Sequence, residues 1–120
     1  MLERLHTAPD NVLVFKASGR ITDEDYKTVL IPAIEDRIKT DGKIRFVYVI
    51  GPECGGVDAG AVLDDALFGL HHWRDFERIG IVTDHDWIAR AMRMFMPLMP
   101  ARTRLFGIDQ MQAALSWAAT

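Results

Sequence analysis

Cysteine is almost missing from this 120-residue chain: Cys54 stands alone, so no internal disulfide framework can form. A single thiol is compatible with a reducing compartment. No run of about 18 apolar residues occurs, so no segment reads as crossing a bilayer. Residues 1–15 also lack the continuous apolar stretch of a secretory leader, and the expected location is the cytoplasm. Serine is scarce as well. Ser18 and Ser116 are the only two, and neither lies in a nucleophile-elbow context. There is no HExxH, no paired CxxC and no P-loop Lys-Ser/Thr, and the glycines do not follow the dinucleotide-binding spacing. Asp64 and Asp65 are adjacent, which on a helix turns them about 100° apart instead of pairing them. With no catalytic constellation, the expectation is a non-enzymatic protein without metal or cofactor. A net charge of −3 argues against nucleic acid as a partner.

What is present is an ordinary globular composition, 49% hydrophobic and 26% charged, in a length that suits one domain over residues 1–120. Residues 1–7 and 11–17 read as two short strands, with the second rich in β-branched and aromatic residues, and APDN between them reads as a turn. Thr22 is placed to cap a helix whose first turn holds Asp23, Glu24 and Asp25, where the dipole favours acids. Tyr26, Val29, Leu30, Ala33, Ile34 and Ile38 give it an apolar stripe, and Pro32 should kink or loosen it. A buried strand follows at 44–50, then a Gly-rich loop at 51–56, GPECGG, and a second helix at about 58–72. A strand at 79–83, a third helix at 86–96, a strand at 102–106 and a final helix capped by Asp109 complete the chain. The order ββαβαβαβα implies an α/β fold with a five-stranded, mixed and mostly parallel sheet and about four helices.

That order resembles the STAS domains, and more closely the small SpoIIAA-like family. FKASGRITDEDYKTVLIPAIE, FGLHHWRDFERIGIVTDHDWI and MPARTRLF carry the likeness. Phosphorylated STAS domains have an Asp-Ser-Ser-Gly-type motif after the third strand. Here the matching stretch is Val57-Asp58-Ala59-Gly60, with alanine where the phosphorylatable hydroxyl would stand. The resemblance therefore implies a regulatory or binding fold without the kinase-operated switch. It also implies a likeness to CRAL-TRIO-type lipid-binding modules, with hydrophobic ligands and membrane surfaces as partners.

Charge is unevenly spread. Residues 1–86 carry sixteen acids and ten bases, whereas residues 87–108 carry four arginines and no acid. The same window holds four of the six methionines. On a helix, Ile88, Ala91, Met92, Phe95, Met96 and Met99 share one wide apolar face, with Met94 and Leu98 outside it or at its edge. Methionine suits surfaces that meet variable partners, and an arginine-bearing, Trp-led helix suits an anionic lipid interface. Plain packing of this helix on the sheet is the competing reading.

GPECGG lies between a strand and a helix N-terminus, where open-sheet folds place ligands, so Gly55, Gly56 and Asp58 are candidate anion or ligand contacts. Cys54 is either a reactive thiol there or an inert core residue. His71, His72 and Asp75, with Asp84, His85 and Asp86, offer possible metal ligands but also a plain capping role. The resulting expectation is a binding module for a hydrophobic small molecule or lipid, associating peripherally with the inner membrane surface. Phe68, Trp87, Met92, Phe95 and Met96 would line an apolar cavity under a movable third helix. Arg90 and Arg93 would face lipid head groups or solvent. The alternative is a protein-interaction regulator resembling an anti-sigma-factor antagonist, or a homodimer that buries the methionine face.

Overall fold

Alternation along one strand sets the two faces of the sheet. β2 (Leu13–Ile21) turns Leu13, Phe15 and Ala17 to one side, and Val14, preceded by Val12, to the other. The computed structural model describes residues 1–5, 10–57, 74–98 and 102–120. β1 (Leu2–Leu5) runs antiparallel to β2, with Leu2 opposite Ala17 and Leu5 opposite Val14. β3 (Ile44–Val57), β4 (Phe76–Thr83) and β5 (Arg102–Phe106) then add in parallel, so the spatial order of the strands equals their chain order. This is the mixed, mostly parallel five-stranded sheet expected from the alternation of segments.

Right-handed crossovers that keep stepping in one direction place the connecting helices on one face. α1 opens at Asp23–Asp25, widens into a π-helix at Tyr26–Leu30 and continues as α-helix over Ile31–Asp41. α2 (Asp86–Phe95) is the segment expected as the third helix. Both pack on the same side of the sheet: Tyr26, Leu30 and Ile34 of α1 and Ile88 of α2 join Phe15, Phe46, Tyr48 and Ile81 in one buried cluster. α3 (Met111–Ala119) follows the last strand and covers the opposite face, where Ala114, Leu115 and Ala118 meet Val14, Val47, Val82 and Phe106. Three helices are thus present among the described residues. The helix expected at 58–72 lies outside them.

Thr22 caps α1 as its sequence suggests. Its hydroxyl accepts from the Asp25 amide (3.2 Å) while the Asp25 carboxylate accepts from the Thr22 amide (2.9 Å). The Thr22 amide contributes most to holding the Asp25 carboxyl below its ordinary range; partial burial opposes the shift, and the Thr22 hydroxyl and the Met1 ammonium add to it. Pro32 has no N–H to give to the preceding turn. The expected loosening takes the form of the π-helix that ends two residues before it, closed by the Ile31 amide on the Tyr26 carbonyl. Gly42 ends the helix in the left-handed region (φ +81°), donating its N–H to the Ile38 carbonyl (2.8 Å).

Two expectations need correction. GPECGG is strand: β3 runs on to Val57 and pairs with β2 through Gly19 opposite Cys54, Arg20 opposite Gly56 and Ile21 opposite Val57. Register shifts flank Gly19, whose φ of +59° places it in the left-handed region. The glycines therefore serve an irregular ladder, not a turn. Asp109 does not cap the last helix. It sits inside a 3₁₀ turn (Ile108–Gln110), and the exposed amides there are taken by Gln110 Oε1 on Gly107 N (2.9 Å) and Asp84 Oδ1 on Ile108 N (3.2 Å).

The far end of α3 is held by two arginines from the sheet. Arg45 donates to the Ala118 carbonyl (2.9 Å) and Arg78 to the Trp117 carbonyl (2.6 Å), satisfying acceptors that a helix end leaves open. Arg78 also lies 5.2 Å from the centre of the Trp117 ring.

Candidate functional site

α2 has an inner and an outer side. Ile88 is 8% exposed and Met92 is half-buried against the same cluster, so these two anchor the helix to the sheet. Four residues on from Ile88, Met92 returns to the same side of the helix. Trp87 and Met94, seven apart and so nearly in line after two turns, point outward, 59% and 74% exposed. Arg90 lies between them on that stripe and is exposed, as is Arg93 beside it. Among the described residues the only other exposed large hydrophobic side chain is Met1. α2 thus presents a tryptophan and a methionine to solvent with two cations alongside.

This placement separates the residues expected to line a cavity. Met92 faces inward and Met96, in the 3₁₀ turn Met96–Leu98, is half-buried. Trp87 does not: it belongs to the outer stripe with Arg90 and Met94. The reason is helical phase, because Trp87 is one residue, or about 100°, from the buried Ile88. Phe95 lies on α2, while Phe68 falls outside the described residues. Arg90 and Arg93 are exposed.

The second candidate region is the carboxyl end of the parallel strands. Gly55 is exposed and Gly56 is paired with Arg20, both within β3; Asp58 lies outside the described residues. β4 ends at Thr83 opposite Ile50, so beyond that point β3 pairs, among the described residues, with β2 alone. A pocket of about 210 Å³ opens here, lined by Pro52, Asp84 and His85. The His85 ring places Nε2 2.9 Å from the Gly51 carbonyl, and its backbone amide donates to the Thr83 hydroxyl (3.1 Å). His71 and His72, the other half of the possible metal set, lie outside the described residues.

Sequence reasoning missed two features. The Tyr26 and Tyr48 hydroxyls meet at 3.4 Å inside the core under α1, whereas the sequence marks each tyrosine only as part of an apolar stripe or strand. The His85–Gly51 contact had no local signal, since it joins positions 34 apart through a backbone carbonyl.

Among the described residues, a mixed five-stranded sheet with two helices on one face and a third on the other is a SpoIIAA-like architecture, a fold that supports a regulatory or binding module in general. The SpoIIAA-like family model matches residues 12–119, and the chain belongs to that family. A crystal structure from Shewanella loihica PV-4, of a DUF3478-family protein with a SpoIIAA-like fold, superposes with a TM-score of 0.71. It is 28% identical in sequence, over 98% of this chain and 92% of that one. No curated protein matches the chain in sequence. Proteins of this fold family are generally non-catalytic. Among the described residues, no helix is long and apolar enough to cross a membrane.

Proposed function

We propose that the protein is a non-enzymatic binding module for a hydrophobic ligand or lipid, and that it meets an anionic membrane surface through the outer stripe of α2. The observation that carries this reading is the exposure of Trp87 and Met94 on one line of the helix with Arg90 between them and Arg93 adjacent. Solvent-facing tryptophan and methionine are disfavoured in water and favoured at the head-group level of a bilayer. Each arginine near an anionic surface adds about 1 kcal/mol of attraction. Arg102 and Arg104, exposed on β5, alternate with Leu105 onto the face that carries Phe106, opposite α2, so the proposed contact rests on Arg90 and Arg93. The half-buried Met92 and Met96 provide adaptable apolar surface on the inner side, where an acyl chain or another apolar ligand would lie.

The test is flotation of purified protein with neutral and anionic vesicles at low and moderate salt. Binding to anionic vesicles that weakens with salt supports the reading, and Arg90→Glu with Arg93→Glu should abolish it. Absence of flotation under every condition overturns it. A stoichiometric protein partner that needs Trp87 and Met94 would instead make the same stripe a protein-docking surface.

A further inference from the structure

We infer that His85 is the positioning residue of α2: its imidazole clasps the Gly51 carbonyl and so sets how the helix stands on the sheet. The geometry of the strand ends gives the reason. The β3–β4 ladder makes its last pair at Ile50 and Thr83, leaving Gly51, a buried residue, as the first position of β3 without a β4 partner. A buried carbonyl that loses its ladder bond needs another donor. The His85 ring supplies it, with Nε2 2.9 Å from Gly51 O. Since a carbonyl only accepts, Nε2 is the nitrogen that carries the proton.

The rest of the junction is tied as well. The His85 amide donates to the Thr83 hydroxyl (3.1 Å), and Asp84 Oδ1 accepts from Ile108 N (3.2 Å). Two consecutive residues therefore bond to β3, to β4 and to the β5–α3 turn. Beyond them α2 reaches the core through Ile88 and Met92, while Trp87, Arg90, Arg93 and Met94 face away. A helix of 10 residues spans about 15 Å, so a small rotation at its root is magnified at Arg93 and Met94. The ring borders the open pocket with Pro52 and Asp84, so truncation lets water reach Gly51 O in its place. Removing the ring should then loosen the direction of α2 more than it destabilises the fold.

The consequence for membrane contact rests on the function proposed above, whereas the clasp itself does not, and the test separates them. Hydrogen exchange is measured by mass spectrometry on wild type, His85→Ala and His85→Gln, the last because a glutamine amide can reach the same carbonyl. In His85→Ala, exchange within α2 should rise roughly tenfold while β2 and β4 amides keep their protection, and His85→Gln should recover most of the loss. Unchanged α2 exchange in His85→Ala, an equal rise throughout the sheet, or no recovery with glutamine would each overturn the assignment. Flotation of the same variants reads the second link. Weaker vesicle binding by His85→Ala, restored by His85→Gln, connects the clasp to the lipid-facing stripe. Altered exchange with no flotation even of wild type leaves the clasp standing and removes the membrane reading.

Discussion

Trp87→Ala is the sharpest perturbation of the proposed surface. A tryptophan side chain presents about 200 Å² when free, and 59% exposure leaves about 120 Å² of it open to solvent. Complete transfer of that area from water would contribute about 3 kcal/mol. An interface immerses only the outward part, so about 1.5 kcal/mol is the expected share, near a tenfold change in partitioning. The assay is a vesicle titration at one anionic lipid fraction and one salt concentration, reading bound protein after flotation. The urea midpoint should fall as well, because about 80 Å² of the side chain is buried in the folded chain, worth about 2 kcal/mol, so the vesicle titration is compared in the absence of urea with both proteins folded. The reasoning is refuted if wild type floats and Trp87→Ala partitions within about twofold of it. In that case the arginines alone, or another face, make the contact.

Other consequences concern the frame that holds this surface. Arg78→Ala removes donors to the Trp117 carbonyl and the Thr120 hydroxyl and a cation above the Trp117 ring; a loss of about 2 kcal/mol in urea unfolding is expected. Arg78→Lys should recover only part of it, since an ammonium lacks the planar fork. Asp25→Ala breaks the capping box and should cost about 1 kcal/mol at neutral pH. The Asp25 carboxyl is held below its ordinary value in the folded chain. Its contribution is therefore full above the unfolded value near 3.8 and is lost as pH falls through the lower folded value, so wild type and variant should converge in acid. Gly42→Ala forces a side chain into the left-handed region at φ +81° and should lower stability by about 1–2 kcal/mol, with little change in vesicle binding.

The sheet was readable because its strands carry their own signals. Val12 to Ala17 alternates between two buried faces, and residues 44–50 and 79–83 are apolar enough to be central strands. Thr22 with Asp25 announces a helix start by local chemistry alone. What could not be read depends on partners distant in the chain. Gly51, Pro52, Gly55 and Gly56 look like turn residues, yet they lie in β3, whose Cys54, Gly56 and Val57 pair with Gly19, Arg20 and Ile21 of β2 across register shifts at Gly19. Asp109 has the right residue type for a cap but loses that role to Gln110 and to Asp84, which arrives from the end of β4. The site was legible to the level of the helix and not of its phase. Arg90, Arg93 and Met94 are exposed, and Trp87, expected to line a cavity, lies on that same exposed side, one residue away from the buried Ile88.

The π-helix at Tyr26–Leu30 has a bearing on tolerance to change in length. Buried Tyr26, Leu30 and Ile34 follow one another at intervals of four. In a uniform α-helix each such step drifts about 40° around the axis, so the first and third would diverge by about 80°. The wider turn between Tyr26 and Leu30 rotates less per residue and offsets the drift of the next step. All three can then reach the sheet while Thr22 keeps its own bonds to Asp25. The segment behaves as a helix that has absorbed one surplus residue. Its sensitivity to insertion and deletion should differ accordingly: losing one residue within 26–30 has an α-helical turn to fall back on, while losing one within 33–38 turns Ile34 and Ile38 away from the core.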